Sequence, residues 1–207
     1  MKIVLDADGV LLDYNEKMAR VYEKALGKTL CVVKESHHFT TMYGVVFTPE
    51  DKKTVFSLFD TEGWTSMPAI KGSVEATQAL HDAGHELVCL SSMPAQFVEA
   101  RASNFKFLGI PLKKVIGSGR DDNKTNPKAA HLIELQPDIF VDDQLRNFKD
   151  VPDSICKVWI DNKYHDSPDV GLDTSVADFK FHSLSEFAQV VLENPSIFKK
   201  NKKSLKL

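Results

Sequence analysis

The first nine residues, MKIVLDADG, constrain the fold of this chain more than any other stretch. An apolar run from Ile3 to Leu5 leads into Asp6 and Asp8, and Gly9 follows at once. A short apolar run closed by glycine is typical of a buried β-strand that ends in a turn. Both carboxylates are therefore predicted at the carboxyl end of the strand, which is the edge where open α/β sheets bind ligands.

Strand-like and helix-like segments alternate along the rest of the chain. Further strands are predicted at 86–90, 115–117, 139–143 and 157–160, with helical patterns between most of them. This alternation predicts an α/β fold with a Rossmann-like parallel sheet that carries helices on both faces.

Capping residues predict where several helices begin. Thr48 precedes a proline and two acids, Ser73 precedes an apolar helical pattern, and Ser183 forms a capping-box pattern with Glu186. Such residues accept hydrogen bonds from the free N–H groups of a first helical turn. Asn126, followed by Pro127 and a lysine, has the same character.

One block interrupts the alternation. Residues 14–66 contain two helical candidates and are predicted to form a small, mostly helical cap inserted after the first strand. The core domain is then expected over 1–13 and 67–195. The lysine-rich segment 196–207 is predicted to be a flexible tail.

Three residues of the cap block are candidate substrate contacts. For His37 and His38, which lie in a polar stretch, a solvated loop is the favoured interpretation. For Trp64, packing in the core is favoured.

Composition excludes several classes of function. The chain has 207 residues and a net charge of −3, which argues against a stable nucleic-acid partner because such proteins usually have a basic excess. No apolar run approaches the length of a membrane span, and the N-terminus begins with a strand in place of a secretion signal. A cytoplasmic enzyme is expected, and its oligomeric state cannot be read from the sequence.

Further polar residues follow the later strands in a recognisable order. Two serines end the second core strand, two candidate lysines precede the fourth core strand, and two acids end it; these are Ser91, Ser92, Lys124, Lys128, Asp142 and Asp143. With Asp6-x-Asp8 in front, this order resembles the haloacid dehalogenase-like (HAD) phosphohydrolase superfamily. The cap position and the Ser-Ser-Met-Pro and Val-Asp-Asp forms are similar to its 5′(3′)-deoxyribonucleotidase-like branch.

The resemblance implies a role for each acid. Asp6 would be the nucleophile that forms an aspartyl-phosphate, and Asp8 would be the general acid and then the general base. Mg²⁺ would bind the Asp6 carboxylate, the Asp8 backbone carbonyl and an acid of the last motif. Asp143 is favoured as the direct ligand with Asp142 behind it, although the reverse is open.

The resemblance also implies that the serines and a lysine would bind the phosphate group of the substrate. Ser91 and Ser92 would donate hydrogen bonds to its oxygens, although Ser91 could instead only cap the next helix. A lysine would neutralise charge and orient Asp6; Lys128 is favoured over Lys124 because it lies at a predicted helix start.

The resemblance implies a magnesium-dependent phosphatase that hydrolyses a small phosphate monoester, either a nucleotide or a sugar phosphate. Alternatives on the same scaffold are a phosphotransferase and a non-catalytic binding or regulatory protein. A dehalogenase is disfavoured because its reaction has no alkoxide leaving group for Asp8 to protonate.

Overall fold

The computed structural model describes residues 1–119 and 126–200. These residues form an α/β fold of parallel strands and helices, together with five short 3₁₀ helices. The strands are β1 (Lys2–Leu5), β2 (Glu86–Ser91), β3 (Lys114–Gly117), β4 (Ile139–Asp142), β5 (Cys156–Ile160) and β6 (Phe179–Phe181). The α-helices are α1 (Tyr14–Leu26), α2 (Phe39–Met42), α3 (Pro49–Glu62), α4 (Ser73–Asp82), α5 (Val98–Leu108), α6 (Ala129–Leu135) and α7 (Leu184–Glu193).

All six strands pair in parallel, in the order β3-β2-β1-β4-β5-β6. This confirms the predicted Rossmann-like sheet. The strand order reverses at β1, because β1 lies between β2 and β4. A crevice therefore opens at the carboxyl ends of these three strands, as expected for a doubly wound sheet.

Successive residues of the buried strands pack into two separate cores. Ile3 and Leu5 face a large cluster that includes Phe105 of α5 and Phe187 of α7. Val4 faces a second cluster on the opposite side of the sheet. The period of two along each strand thus places apolar side chains on both faces, and helices cover both, as predicted.

Helices α1 to α3 lie between β1 and β2 in the sequence, where the helical insertion was predicted. Thr48 caps α3 in a capping box with Asp51, as its sequence pattern indicates. The chain enters and leaves this block through two paired segments: the Asp13 N–H donates to the Pro68 carbonyl, and the Ile70 N–H donates to the Leu11 carbonyl, both at 2.9 Å.

The predicted capping role of Ser73 is wrong. Helix α4 begins at Ser73 itself, the N-cap position is Gly72, and the helix start has no side-chain cap. The Ser73 hydroxyl instead donates to the Leu11 carbonyl at 2.9 Å, which ties α4 to the segment after β1. Ser183 does cap α7, as predicted, by accepting a hydrogen bond from the Glu186 N–H.

The packed region extends beyond residue 195, where the core was predicted to end. A 3₁₀ helix, Pro195–Phe198, places the fully buried Phe198 against Phe179 and Phe187. The predicted tail therefore begins with a structural anchor, because a large aromatic ring fills a gap in the core. Within the described ranges, no helix is both long and apolar enough to cross a membrane.

Candidate active site

The carboxyl ends of β1, β2 and β4 place the predicted residues around one cavity of about 940 Å³. Its lining includes Asp6, Asp8, Ser91, Ser92 and Asp143. A smaller cavity of about 300 Å³ beside β3 contains none of these residues. The structure thus brings together side chains that are up to 137 residues apart in the sequence.

Lys128 is buried directly beneath this group. Its Nζ lies 2.9 Å from Asp6 Oδ1 and 2.6 Å from Asp142 Oδ2, and its side chain is fully buried. The ammonium group therefore holds the two carboxylates together from below the cavity. Lys124, the alternative lysine, lies outside the described residues.

Two asparagines that sequence reasoning missed position Lys128 and Asp142. The Asn126 side chain accepts from the Lys128 N–H and donates to the carbonyls of Asn147 and Lys149. The Asn147 amide in turn donates to Asp142 Oδ1 at 2.8 Å. For Asn126, the only sequence signal was its position before a proline, and that signal predicted the start of a helix. It did not predict the hydrogen bonds that Asn126 makes to the segment 147–149.

The two acids after β4 differ in how their oxygens are used. Both oxygens of Asp142 accept protein hydrogen bonds, from Lys128 on one side and from the Gln144 N–H and Asn147 on the other. The Asp143 Oδ1 is buried and has no hydrogen-bond partner among the described residues. A buried carboxylate oxygen without a donor is costly, so Asp143 is the acid with room for a cation.

Burial dominates the electrostatics of these acids. It raises the pKa of Asp6 to about 7 even though Lys128 opposes the shift, and Asp142 and Asp8 raise it further. The pKa of Asp143 is raised well above its usual range, first by burial and then by Asp142 and Asp6. Oxygens of Asp6, Asp142 and Asp143 lie within 4.8 Å of one another, so a cation placed among them would favour the charged forms.

Gly9 makes room for Asp143. Its φ is +85°, and a Cβ built there would lie 2.6 Å from the Asp143 carboxyl carbon. The Gly9 carbonyl also accepts a hydrogen bond from the Asn162 side chain at 3.2 Å, which fixes the turn after Asp8 to the loop after β5. The glycine of the motif is therefore required for both its backbone conformation and its lack of a side chain.

Replacing Gly9 with Ala is expected to lower the free energy of unfolding by about 2–4 kcal/mol, because left-handed strain adds to a clash with Asp143. Gly84→Ala is the matched control: φ is +81° there, but no atom lies within 4 Å of the added carbon. We expect this control to lose only about 1–2 kcal/mol in urea unfolding, since strain acts alone. Equal losses in the two variants would contradict the clash.

Asp8 has a partner that the sequence did not reveal. The fully buried Arg101 of α5 donates from Nη1 to Asp8 Oδ1 at 2.9 Å and from Nη2 to Asp8 Oδ2 at 3.4 Å. The Asp8 side chain retains 31% of its exposure and lines the cavity. In the sequence, Arg101 appears only as one polar position on a helix.

The far side of the cavity is formed partly by residues from the inserted helical block. Tyr14 and His37 line it together with Tyr164 of the loop after β5. That loop binds the block directly, since Asp166 accepts hydrogen bonds from the Ser36 hydroxyl and the His37 N–H at 2.5 and 3.0 Å.

The three candidate substrate contacts have different outcomes. His38 is exposed, as the solvated-loop interpretation predicts, whereas His37 lies in the same loop, is half-buried and lines the cavity, so a contact with substrate stays open for it. Trp64 is buried, stacks on Phe97 with ring centroids 5.0 Å apart and contacts Phe59, which confirms core packing.

Solved structures with low sequence identity share this fold. A predicted phosphatase from Clostridium acetobutylicum is 16% identical with a TM-score of 0.59, and the match covers 93% of this chain and 98% of that one. A HAD family hydrolase from Deinococcus radiodurans R1, with bound phosphate and sodium, is 14% identical with a TM-score of 0.60 and coverage of 96% and 97%. A haloacid dehalogenase-like hydrolase from Streptococcus pneumoniae is 14% identical with a TM-score of 0.60 and coverage of 91% and 96%.

A search of curated protein sequences found no match. The family model described as 5′ nucleotidase, deoxy (Pyrimidine), cytosolic type C protein matches residues 1–166, which is most of the chain and includes every motif described above. The chain therefore belongs to this family of HAD-like deoxynucleotidases and is a phosphohydrolase.

Proposed function

We propose that this protein is a magnesium-dependent phosphatase that hydrolyses a nucleoside monophosphate through an aspartyl-phosphate on Asp6. One observation carries the proposal: Asp6 lies at the floor of a large cavity between the buried cation Lys128 and the acid Asp143, whose Oδ1 has no partner in the described part of the chain. Family membership supports the substrate class.

The donor set fits Mg²⁺. The carboxylates of Asp6 and Asp143 and the backbone carbonyl of Asp8 would hold the ion, and hard oxygen ligands are those that Mg²⁺ prefers. Asp142 would not bind the ion directly, since both of its oxygens already accept hydrogen bonds from protein donors. When bound, the ion would neutralise charge on the phosphate and favour the ionised form of Asp6.

In the first step, a carboxylate oxygen of Asp6 attacks phosphorus. The bond from phosphorus to the ester oxygen breaks, its electron pair stays on that oxygen, and Asp8 supplies the proton that makes the leaving group a neutral alcohol. Lys128 keeps the Asp6 carboxylate in place, because it contacts Oδ1 at 2.9 Å. Ser91 and Ser92, which line the cavity, donate to the phosphate oxygens.

In the second step, Asp8 takes a proton from a water molecule that attacks phosphorus from the side the alcohol has left. The bond between phosphorus and Asp6 breaks, free phosphate leaves, and the Asp6 carboxylate is restored. Both steps use the same two acids, which explains why the motif needs two carboxylates on one turn.

We also propose that residues 14–66 act as a cap on a core formed by 1–13 and 67–195. The block is a single insertion between β1 and β2, and the hydrogen bonds from Asp13 to Pro68 and from Ile70 to Leu11 hold the two chain segments at its ends together. Tyr14, His37 and Tyr164 line the cavity, and aromatic residues there favour a nucleobase over a bare sugar.

Mg²⁺ is expected to raise the melting temperature more at pH 8 than at pH 5.5. The raised pKa values of Asp6 and Asp143 mean that protons compete with the ion at the lower pH, and binding stabilises by about 2.7 kcal/mol at 100 times Kd. Asp143→Asn should remove most of the rise in melting temperature that Mg²⁺ causes. Asp153→Asn, the same change at a fully exposed side chain, should leave it intact; loss of the shift in this control would contradict the assignment.

Phosphate release across nucleoside monophosphates, sugar phosphates and phosphorylated acids, with Mg²⁺ or with EDTA, tests the proposed function. We expect release that needs Mg²⁺ and is fastest for deoxynucleoside monophosphates. Preference for a sugar phosphate would refute the substrate class but not the phosphatase. Absence of release from every ester in the presence of Mg²⁺ would refute the proposed function.

A further inference from the structure

Arg101 is a buried arginine whose guanidinium group points at one carboxylate. It is completely buried, and Asp8 is its only ion-pair partner among the described residues. Burying a guanidinium group is costly unless it is paired, so the pair with Asp8 is a specific feature of this core. Arg101 does not line the cavity, and it can therefore act on a substrate only through Asp8.

Aromatic packing holds the guanidinium group in place. Its carbon lies 5.2 Å from the ring centre of Trp64, which favours a cation over the ring face. Trp64 is itself stacked on Phe97, and it packs edge-on against Phe59 with ring centroids 5.1 Å apart. Arg101 is thus fixed on one side by a rigid aromatic group, and its two Nη atoms are presented on the other.

We propose that Arg101 is a positioning residue that fixes the Asp8 carboxyl group for proton transfer to the leaving oxygen. This inference rests on the proposed function, in which Asp8 is the general acid. Asp8 immediately precedes the turn at Gly9 and is partly exposed, so its side chain would otherwise sample several rotamers. A displacement of about 1 Å at a reacting group can reduce a rate by about 10²-fold.

Arg101 contacts the two Asp8 oxygens unequally, since Nη1 donates to Oδ1 at 2.9 Å and Nη2 donates to Oδ2 at 3.4 Å. The closer contact fixes the orientation of the carboxyl group. In the proposed step, Oδ2 is the oxygen that carries the proton. As the P–O bond breaks, that proton moves to the ester oxygen and the Asp8 carboxylate remains paired with Arg101.

The alternative is that Arg101 only stabilises the fold. Leaving-group basicity separates the two roles, because an ester with an acidic leaving alcohol needs little help from a general acid. Phenyl phosphate and p-nitrophenyl phosphate have similar shapes but differ in the basicity of the leaving oxygen. The ratio kcat/KM covers binding and the first phosphoryl transfer, so later hydrolysis of the aspartyl-phosphate does not enter.

The experiment measures kcat/KM for both esters in the unaltered enzyme with Mg²⁺ and in two variants. Arg101→Met removes the charge but keeps most of the volume. We expect its loss for phenyl phosphate to exceed its loss for p-nitrophenyl phosphate by at least about tenfold. Arg101→Lys keeps a cation at the buried position, so it should fold even if Arg101→Met does not, and it should show the same selective loss to a smaller degree.

Lys17→Met is the matched control. Lys17 is also a buried cation, but its Nζ bonds to the Ser66 hydroxyl at 2.7 Å and not to an acid of the site. Any effect of this variant should be equal for the two esters. If each Arg101 variant lost the same factor in kcat/KM for phenyl phosphate as for p-nitrophenyl phosphate, the positioning role would be overturned. If the unaltered enzyme hydrolyses neither ester nor any nucleotide, the proposed function fails and this inference fails with it.

Discussion

Replacing Lys128 with Met is expected to destabilise the folded protein by about 3–5 kcal/mol at pH 8 and to reduce phosphate release by at least about 10²-fold. The side chain is fully buried, and burial opposes its charge, but Asp142 and Asp6 outweigh that effect and raise the pKa of Lys128. Without the ammonium group, the remaining buried carboxylates repel one another with no cation between them.

The loss of stability in Lys128→Met should become larger as the pH rises. A lysine with a raised pKa gives its full stabilisation below its unfolded pKa, so the unaltered protein keeps this contribution throughout the neutral range. In Lys128→Met, the folded state holds protons on Asp6 and Asp143 that the unfolded chain releases above about pH 4. The destabilisation should therefore grow as pH rises from 5 to 8 in urea unfolding.

Lys124→Met is the matched control for this variant. It makes the same chemical change at the other candidate lysine, and we expect near-normal stability and phosphate release. The opposite pattern, with Lys124→Met inactive and Lys128→Met normal, would contradict the assignment of Lys128.

Asp6→Asn is expected to reduce phosphate release by at least about 10⁴-fold, because an amide cannot form the aspartyl-phosphate. The folded protein should survive the change. Burial raises the pKa of Asp6 to about 7, so folding favours its neutral form; stability from this group is present at low pH and is lost as pH rises from about 4 towards 7. Asn is neutral at every pH, and the metal-free variant should unfold at the same or higher urea concentration at pH 8.

This pairing of lost activity with retained stability separates a catalytic role from a structural one. Circular dichroism and urea unfolding would be measured on the same preparations as phosphate release. Loss of folding in the variant would contradict the expected retention of stability, and near-normal release from a folded variant would refute the role of Asp6 as nucleophile.

The parts of the fold that depend on local patterns could be predicted from the sequence. Ile3 to Leu5 is apolar on both strand faces because both faces are covered by helices, so the run itself indicates a buried strand. Asp6 and Asp143 directly follow such runs, and parallel strands bring their carboxyl ends to one edge. The cap at Thr48 could also be predicted, because it involves only Asp51, three residues later in the sequence.

The parts that depend on packing between distant segments could not be predicted. Arg101 is 93 residues from Asp8, and a helix of mixed polarity gives no sign that one arginine turns into the core. The contact of Asn147 with Asp142 depends on the short 3₁₀ helix Leu145–Phe148, which was not predicted from the sequence. Ser73 does not cap α4 because the helix already includes it, and its hydroxyl donates to the carbonyl of Leu11, which is 62 residues away in the sequence.

The resemblance to the family favours Asp143 over Asp142 as the direct metal ligand but leaves the reverse open. The sequence offers two adjacent acids, and only their hydrogen bonds distinguish them: Asp142 is fully used by Lys128 and its neighbours, whereas Asp143 keeps a buried oxygen without a protein donor in the described part of the chain. His37 is a similar case, because its position at the cavity depends on a hydrogen bond from its N–H to Asp166.

The most direct test is an attempt to trap the proposed covalent intermediate on Asp6. The enzyme would be mixed with its best ester and Mg²⁺, quenched in acid during turnover and treated with borohydride, which reduces an acyl phosphate to an alcohol. Peptide mass spectrometry should then find homoserine in place of Asp6, and none in samples without substrate. Turnover without any reduced aspartate, or reduction at Asp8 in place of Asp6, would contradict the proposed mechanism.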